Sequence, residues 1–132
     1  MKILSLLYII MFSTICYAQI GHTKDEILNK NPNAVFEYTD TDIPYLVVEK
    51  DMGNYIQQQM FFLSKKDYKC YRYAISEPAT EANLWVKFFN KEGYVKVDKL
   101  MWKNYATSLV YTLSIKGDFC FVVTDYDFND KY

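Results

Sequence analysis

The sequence predicts an α+β fold: one curved antiparallel sheet of about seven strands with two helices on one face, in the order α-ββββ-α-βββ. Three observations lead to this prediction. A capping-box pattern begins a helix early in the chain, short strand-like runs separated by turn residues follow it, and a second helical pattern interrupts those runs. The chain has 132 residues, of which 51% are hydrophobic, which fits one domain with a sizeable core.

The first 18 residues have the pattern of a secretory signal peptide. One positive charge precedes an apolar run over residues 3–15, and Cys16 and Ala18 occupy the −3 and −1 positions of a cleavage site. Cleavage between Ala18 and Gln19 leaves a single α+β domain, residues 19–132, with no membrane span. We therefore expect the protein to be periplasmic or secreted.

Two other interpretations of the N-terminal segment fit less well. An uncleaved anchor needs roughly 20 apolar residues; the stretch from Ile3 to Ile20 barely reaches that length, and Ser5, Ser13 and Thr14 dilute it. A lipoprotein would carry its lipid on Cys16, but Ser13 and Ile15 do not match the large aliphatic and small residues expected before such a cysteine.

The first predicted helix covers Lys24–Lys30. Thr23 can accept a hydrogen bond from the backbone of Glu26, whose side chain can return one, and this is a capping box. Asn31 and Pro32 end the helix. Four strand-like runs follow, at residues 35–39, 45–50, 56–64 and 68–75.

The second predicted helix opens at residues 76–78, because proline is tolerated in the first turn of a helix. Its apolar positions recur at helical spacing and are Leu84, Trp85, Phe88 and Phe89. Gly93 suits the left-handed position after its end. Three strands complete the prediction, at residues 94–98 with a possible extension to Trp102, then 108–115 and 119–124.

Aromatic residues are unusually frequent, with 13 Tyr, 9 Phe and 2 Trp making 18% of the chain. Two short helices can cover only one side of the sheet, so some aromatic side chains should line the other side, where apolar patches mark partner surfaces. The residues predicted to bind a protein partner there, or a second copy in a homodimer, are Tyr45, Phe61, Tyr71 and Tyr73. The alternative is a sheet that curls and buries them.

Another class of function, binding of a small molecule or glycan, would use the two tryptophans. Trp85 and Trp102 are the candidate stacking platforms for this function. A concave aromatic pocket would favour it, whereas a flat sheet contact would favour protein binding.

Two cysteines remain after signal cleavage. Cys70 and Cys120 form an even pair in an exported chain, which favours a disulfide if their strands are neighbours. Two buried free thiols are the alternative.

Metal and nucleic-acid binding find little support. Fifteen Lys and Arg stand against 16 Asp and Glu, without the basic cluster that nucleic acid requires. His22 is the only histidine, which argues against zinc. Asp125, Asp127 and Asn129 resemble the start of a calcium loop, but Asp130 replaces the glycine of its sharp turn. We expect no metal and no cofactor.

Catalytic motifs are also missing from the sequence. No G-x-S-x-G occurs, and the four glycines are isolated, so no phosphate cradle is indicated. An enzyme would need two acids, or an acid and His22, to converge in a cleft. A non-enzymatic domain is the expectation.

The segment after the signal resembles the opening of a group of small exported bacterial domains. Gly21, Thr23, Glu26, Ile27 and Pro32 match its G-x-[ST]-x-x-[DE]-[IV] opening and following proline. That group includes small outer-membrane-assembly lipoproteins and β-lactamase-inhibitory-protein-like domains. The resemblance implies non-catalytic binding of another envelope or secreted protein through the sheet.

A second, looser resemblance is to exported proteins of Bacteroidota. It rests on a signal ending in Ala18-Gln19, an aromatic-rich body and the late Trp102. It implies export and supplies no site residue.

Overall fold

A computed structural model describes residues 20–126. The α+β fold with an antiparallel sheet is confirmed, but the sheet has eight strands rather than seven. The predicted signal peptide and its cleavage site lie outside the described residues. The last part of the calcium-like acidic segment, residues 127–130, does so as well.

Helix α1 (Lys24–Lys30) has the predicted bounds because its start is encoded locally. The hydroxyl of Thr23 accepts from the backbone N–H of Glu26 at 3.2 Å, and the backbone N–H of Thr23 donates to Glu26 Oε1 at 3.4 Å. Ile27 is the buried residue of this helix, and Asn31 caps its end by donating to the Ile27 carbonyl. The capping box thus fixes the helix start without help from distant contacts.

The first four strands form a meander in which each pairs antiparallel with the next. They are β1 (Val35–Tyr38), β2 (Pro44–Asp51), β3 (Ile56–Leu63) and β4 (Cys70–Pro78). The predicted helix start at residues 76–78 is wrong, because this segment continues β4 and pairs with Phe119, Cys120 and Phe121. A 3₁₀ turn (Ala79–Glu81) separates β4 from helix α2 (Ala82–Lys91).

The second half of the chain also contains four strands. They are β5 (Val95–Asp98), β6 (Met101–Asn104), β7 (Leu109–Lys116) and β8 (Phe119–Tyr126). The extra strand arises where the sequence suggested one extended run toward Trp102. Leu100 takes a positive φ of 55°, so the chain turns back and Met101 pairs with Asp98.

The eight strands lie in the order β1-β2-β3-β4-β8-β7-β6-β5. Each half is therefore a helix followed by a four-stranded meander, and the halves join through β4 and β8 at the centre of the sheet. β1 and β5 form the two edges. The predicted order α-ββββ-α-βββ differs from the observed one by the additional strand of the second half.

The core lies between the helices and one face of the sheet, which we call the covered face. A register row crosses this face from strand to strand and consists of Leu46, Phe61, Tyr73, Thr124, Tyr111 and Trp102. The helices add Ile27 from α1 and Trp85 and Phe89 from α2 to the same core. Leu84 instead points away from it, with 51% of its surface exposed.

Candidate functional site

The side of the sheet opposite both helices, which we call the open face, carries a row of apolar residues interrupted only by Thr112. Because side chains alternate along each strand, the neighbours of the buried row point to this side. The row crosses seven strands in register and consists of Val35, Val47, Met60, Ala74, Val123, Thr112 and Met101. At the β1 edge it is well exposed, with 54% of Val35 accessible.

A second, more polar row runs beside it on the open face. Its register partners are Glu37, Tyr45, Phe62, Arg72, Asp125, Val110 and Lys103. Tyr45 and Phe62 stack with ring centroids 5.7 Å apart, and Arg72 Nε lies 2.7 Å from Asp125 Oδ1. The hydrogen bond to Asp125 raises the pKa of Arg72. This row thus places a fixed ion pair and an aromatic pair side by side.

A cavity of about 560 Å³ opens on the β1–β3 part of the open face. Its lining combines residues of both rows with two glutamates and consists of Asn33, Val35, Glu37, Tyr45, Val47, Glu49, Gln58 and Met60. The cavity therefore has apolar walls from valine and methionine and two carboxylates.

Each of the two carboxylates in the cavity accepts a hydrogen bond from a neighbouring side chain. The Tyr45 hydroxyl donates to Glu37 Oε2 at 2.8 Å, and Gln58 Nε2 donates to Glu49 Oε1 at 3.4 Å. The bond to Glu37 raises the pKa of the Tyr45 phenol above its ordinary value. The glutamates are thereby held at the cavity wall.

Two of the predicted contact residues do not lie on the open face. Phe61 and Tyr73 belong to the covered face, where they are 1% and 2% exposed and their ring centroids lie 4.9 Å apart. The prediction that both residues lie on the open face is wrong, because the strand register places Phe61 and Tyr73 in the buried row of the covered face. Tyr45 does reach the open face and lines the cavity.

Tyr71 lies apart from the cavity. The register of β3 and β4 shifts there, so that Arg72 pairs with Phe62 and Cys70 with Leu63, which leaves Tyr71 as the extra residue of a bulge. It is partly exposed and does not line the cavity. Its predicted role as a contact residue remains a prediction.

The two predicted stacking platforms are core residues. Trp85 and Trp102 are 2% and 0% exposed, so neither presents a ring face to solvent. Their indole N–H groups donate to Glu77 Oε1 at 2.6 Å and to Asn90 Oδ1 at 3.0 Å. Trp85 belongs to the side of α2 that packs against the core, together with Ala82 and Phe89.

The predicted disulfide is not present, although the strands of its two cysteines are neighbours. Cys120 pairs with Glu77 at the far end of β4 from Cys70. At about 3.3 Å per residue that separation is about 23 Å, well beyond the reach of a disulfide. Both thiols are free and buried, and burial raises the pKa of Cys70 to about 12 and that of Cys120 to about 11.

Glu77 is a buried acid that sequence reasoning missed. It accepts hydrogen bonds from the Tyr55 hydroxyl and the Trp85 indole, and only 2% of it is exposed. The sequence placed it at a helix start, where it would be solvated. These donors satisfy a carboxylate that anchors α2 to the end of β4.

Catalytic and metal-binding arrangements do not emerge from the described part of the chain. His22 Nδ1 lies 3.9 Å from Glu26 at the start of α1, outside the cavity. Within residues 20–126, no three or more His, Cys, Asp or Glu residues are placed to hold a metal ion. Over the same range, neither helix is long and apolar enough to cross a membrane.

The cavity glutamates and apolar residues were also missed. Because side chains alternate along a strand, the sequence does put Val35 and Glu37 on one face of β1. In the same way it puts Tyr45, Val47 and Glu49 on one face of β2, so each strand alone indicates part of the cavity lining. The register that brings β1, β2 and β3 together was needed to assemble them.

Comparison with protein-family profiles, curated proteins and solved structures finds no match.

Proposed function

We propose that this chain is an exported, non-catalytic binding domain that contacts a protein partner through its open face. The observation that carries the proposal is the apolar row, which crosses seven strands on the side left uncovered by both helices. Val35 of this row is exposed and Val47, Met60, Val123 and Met101 are half-buried, and apolar side chains left partly in water mark interaction sites.

The composition of the open face also supports a protein partner. Tyr45, Phe62 and Met60 are residue types enriched at interfaces, and they lie next to each other on β2 and β3. The polar row beside them carries the Arg72–Asp125 ion pair on the central strands β4 and β8. Interfaces combine apolar side chains with polar groups of this kind.

Export is proposed from the N-terminal sequence pattern. A partner would then be another envelope or secreted protein, met in the periplasm or outside the cell. A second copy of the chain remains one form that this partner could take.

The test is a matched pair of substitutions on the two sides of the molecule. Val35→Asp changes the open face, and Leu84→Asp makes the same change on the outer side of α2, where exposure is similar at 54% and 51%. Tagged variants are used for affinity capture from the envelope of the producing cell, after thermal unfolding has shown both to be folded.

We expect Val35→Asp to reduce the amount of one captured protein by about tenfold, since a buried charge at an interface is costly. Leu84→Asp should leave the amount unchanged. Equal capture by both variants, or equal loss in both, contradicts the proposal.

A second candidate function, binding of a small molecule, is favoured by the cavity volume. About 560 Å³ falls within the range of ligand pockets, and Tyr45 provides an aromatic wall. Native mass spectrometry of the protein purified from its source would reveal a bound small molecule. A mass equal to that of the chain alone counts against this candidate.

A further inference from the structure

We infer that the open-face cavity receives a cationic side chain, lysine or arginine, of the partner protein. This inference rests on the proposed function and names the chemistry at its centre. Its basis is one cavity of about 560 Å³ in which an apolar wall has a glutamate on either side.

The charge of the cavity selects a cation. Glu37 and Glu49 are the ionisable carboxylates among the eight lining residues, and that lining contains neither lysine nor arginine. Both glutamates are exposed, so neither side chain is a buried acid. A partner with a basic residue at the contact would therefore be complementary, and an acidic one would be repelled.

The remaining acceptor capacity of the carboxylates suits a cation with several donors. Tyr45 uses Oε2 of Glu37, and Gln58 uses Oε1 of Glu49. An ionised carboxylate has about four lone-pair sites, so each can accept further hydrogen bonds. Charge-assisted bonds of this kind are stronger than neutral ones.

The apolar walls suit the aliphatic stem of a long basic side chain. Val35, Val47 and Met60 lie in register across the three neighbouring strands β1, β2 and β3. Glu37 lies in the register row on one side of them, and Glu49 lies in the row on the other side. Lysine and arginine bury their methylene stems against apolar surface while the charged head reaches polar groups. A small inorganic cation would leave these walls uncovered.

The two basic residues of the polar row on the open face, Arg72 and Lys103, have other partners. Arg72 is bound to Asp125 at 2.7 Å, and Lys103 Nζ lies 4.5 Å from the ring centroid of Tyr105. Neither residue lines the cavity. A cation that pairs with Glu37 or Glu49 is therefore expected from another chain.

The experiment is an NMR titration of the folded domain with three short peptides. The probes are acetyl-Gly-X-Gly-amide with X as lysine, arginine or norleucine, the last of which keeps an aliphatic stem without charge. The lysine and arginine peptides should shift the amide signals of β1–β3 around the cavity. Norleucine should bind at least about fivefold more weakly, because it lacks charge-assisted bonds.

The matched variants remove two negative charges at different places. Glu37→Gln/Glu49→Gln acts in the cavity, and Glu92→Gln/Asp118→Asn acts at exposed positions outside it. The cavity variant should weaken the arginine peptide about tenfold, while the control variant retains its affinity. Equal binding of norleucine, equal loss in both variants, or no shift with either basic peptide overturns the inference.

The two proposals fail in different ways. If Val35→Asp abolishes capture of the partner but the Glu37→Gln/Glu49→Gln variant captures it as wild type does, the open face binds a partner without using a cation. In that case the proposed function stands and the inference is wrong. If no protein depends on the open face for capture, the proposed function is wrong.

Discussion

Glu26 shows how a single carboxylate can stabilise a short helix. Its hydrogen bonds with the backbone and side chain of Thr23 lower its pKa from the usual value near 4.5. A carboxyl whose pKa is lower in the folded than in the unfolded chain stabilises the fold above its unfolded pKa. This stabilisation is lost as the pH falls through the folded pKa.

We therefore expect Glu26→Gln to lower the free energy of unfolding at neutral pH and the difference from wild type to disappear on acidification. Glutamine keeps the acceptor oxygen, so the remaining difference reports the charge. Urea unfolding followed by circular dichroism between neutral pH and about pH 3 measures it. A difference that is absent at neutral pH, or that persists in acid, would contradict this assignment.

The two buried cysteines make a prediction about reactivity. Since their pKa values are raised to about 12 and about 11, almost no thiolate is present at neutral pH. Iodoacetamide should modify Cys70 and Cys120 slowly in the folded chain and rapidly in urea. Intact mass should match the reduced form; a mass about 2 Da lower would show a disulfide and contradict the strand register.

At the scale of the element, α2 is held by its inner aromatic face. Phe89 is fully buried, and its ring centroid lies 4.9 Å from that of Trp102 and 5.1 Å from that of Tyr111. Phe88, next in sequence, is only partly buried and contacts the rim of this cluster. The two phenylalanines therefore form a matched pair.

Phe89→Ala should destabilise the domain by about 3–5 kcal/mol, because it removes a large ring from a packed core. Phe88→Ala should cost clearly less, since part of its ring already meets water. Chemical denaturation of both variants gives the comparison. Equal losses would mean that α2 does not pack in this orientation.

Elements could be predicted from sequence where their signals are local. The bounds of α1 follow from Thr23 and Glu26 alone. The end of β4 could not be predicted, because its last residues are fixed by pairing with β8 over 40 residues later in the chain. The break between β5 and β6 could not be predicted either, because it depends on Leu100 at a positive φ. Leucine is uncommon in that conformation, so its presence in the sequence does not indicate a turn.

At the scale of the whole molecule, the order of strands sets a gradient of stability. β4 and β8 are paired on both sides at the centre, whereas β1 and β5 each have one neighbour. Residues of β5 are exposed along its whole length. Central strands of such a sheet open only with global unfolding, and edge strands open locally.

Amide hydrogen exchange should therefore be slowest for Tyr73, Ile75 and Val122 at the β4–β8 junction and fastest in β1 and β5. Exchange followed by NMR measures this order residue by residue. If the two halves of the sheet unfolded independently and separated between β4 and β8, amide exchange would be fast there. That result would contradict the claim that the eight strands unfold as one cooperative sheet.

The candidate site illustrates the limit of sequence reasoning at this scale. That some apolar and aromatic residues would line an uncovered face was predictable from two short helices and a wide sheet. Which ones do so depends on the register, which places Tyr45 on the open face and Phe61 and Tyr73 on the covered face. Alternation gives the two faces of a strand but does not tell which face the helices cover.

The central claim, that the open face binds a protein, is tested most directly by photo-crosslinking in the producing cell. A benzophenone amino acid replaces Val35 on the open face or Leu84 on the outer side of α2, two positions of similar exposure. Irradiation should join the chain to one specific protein from position 35 and not from position 84. No adduct from position 35, or the same adducts from both positions, would contradict the account.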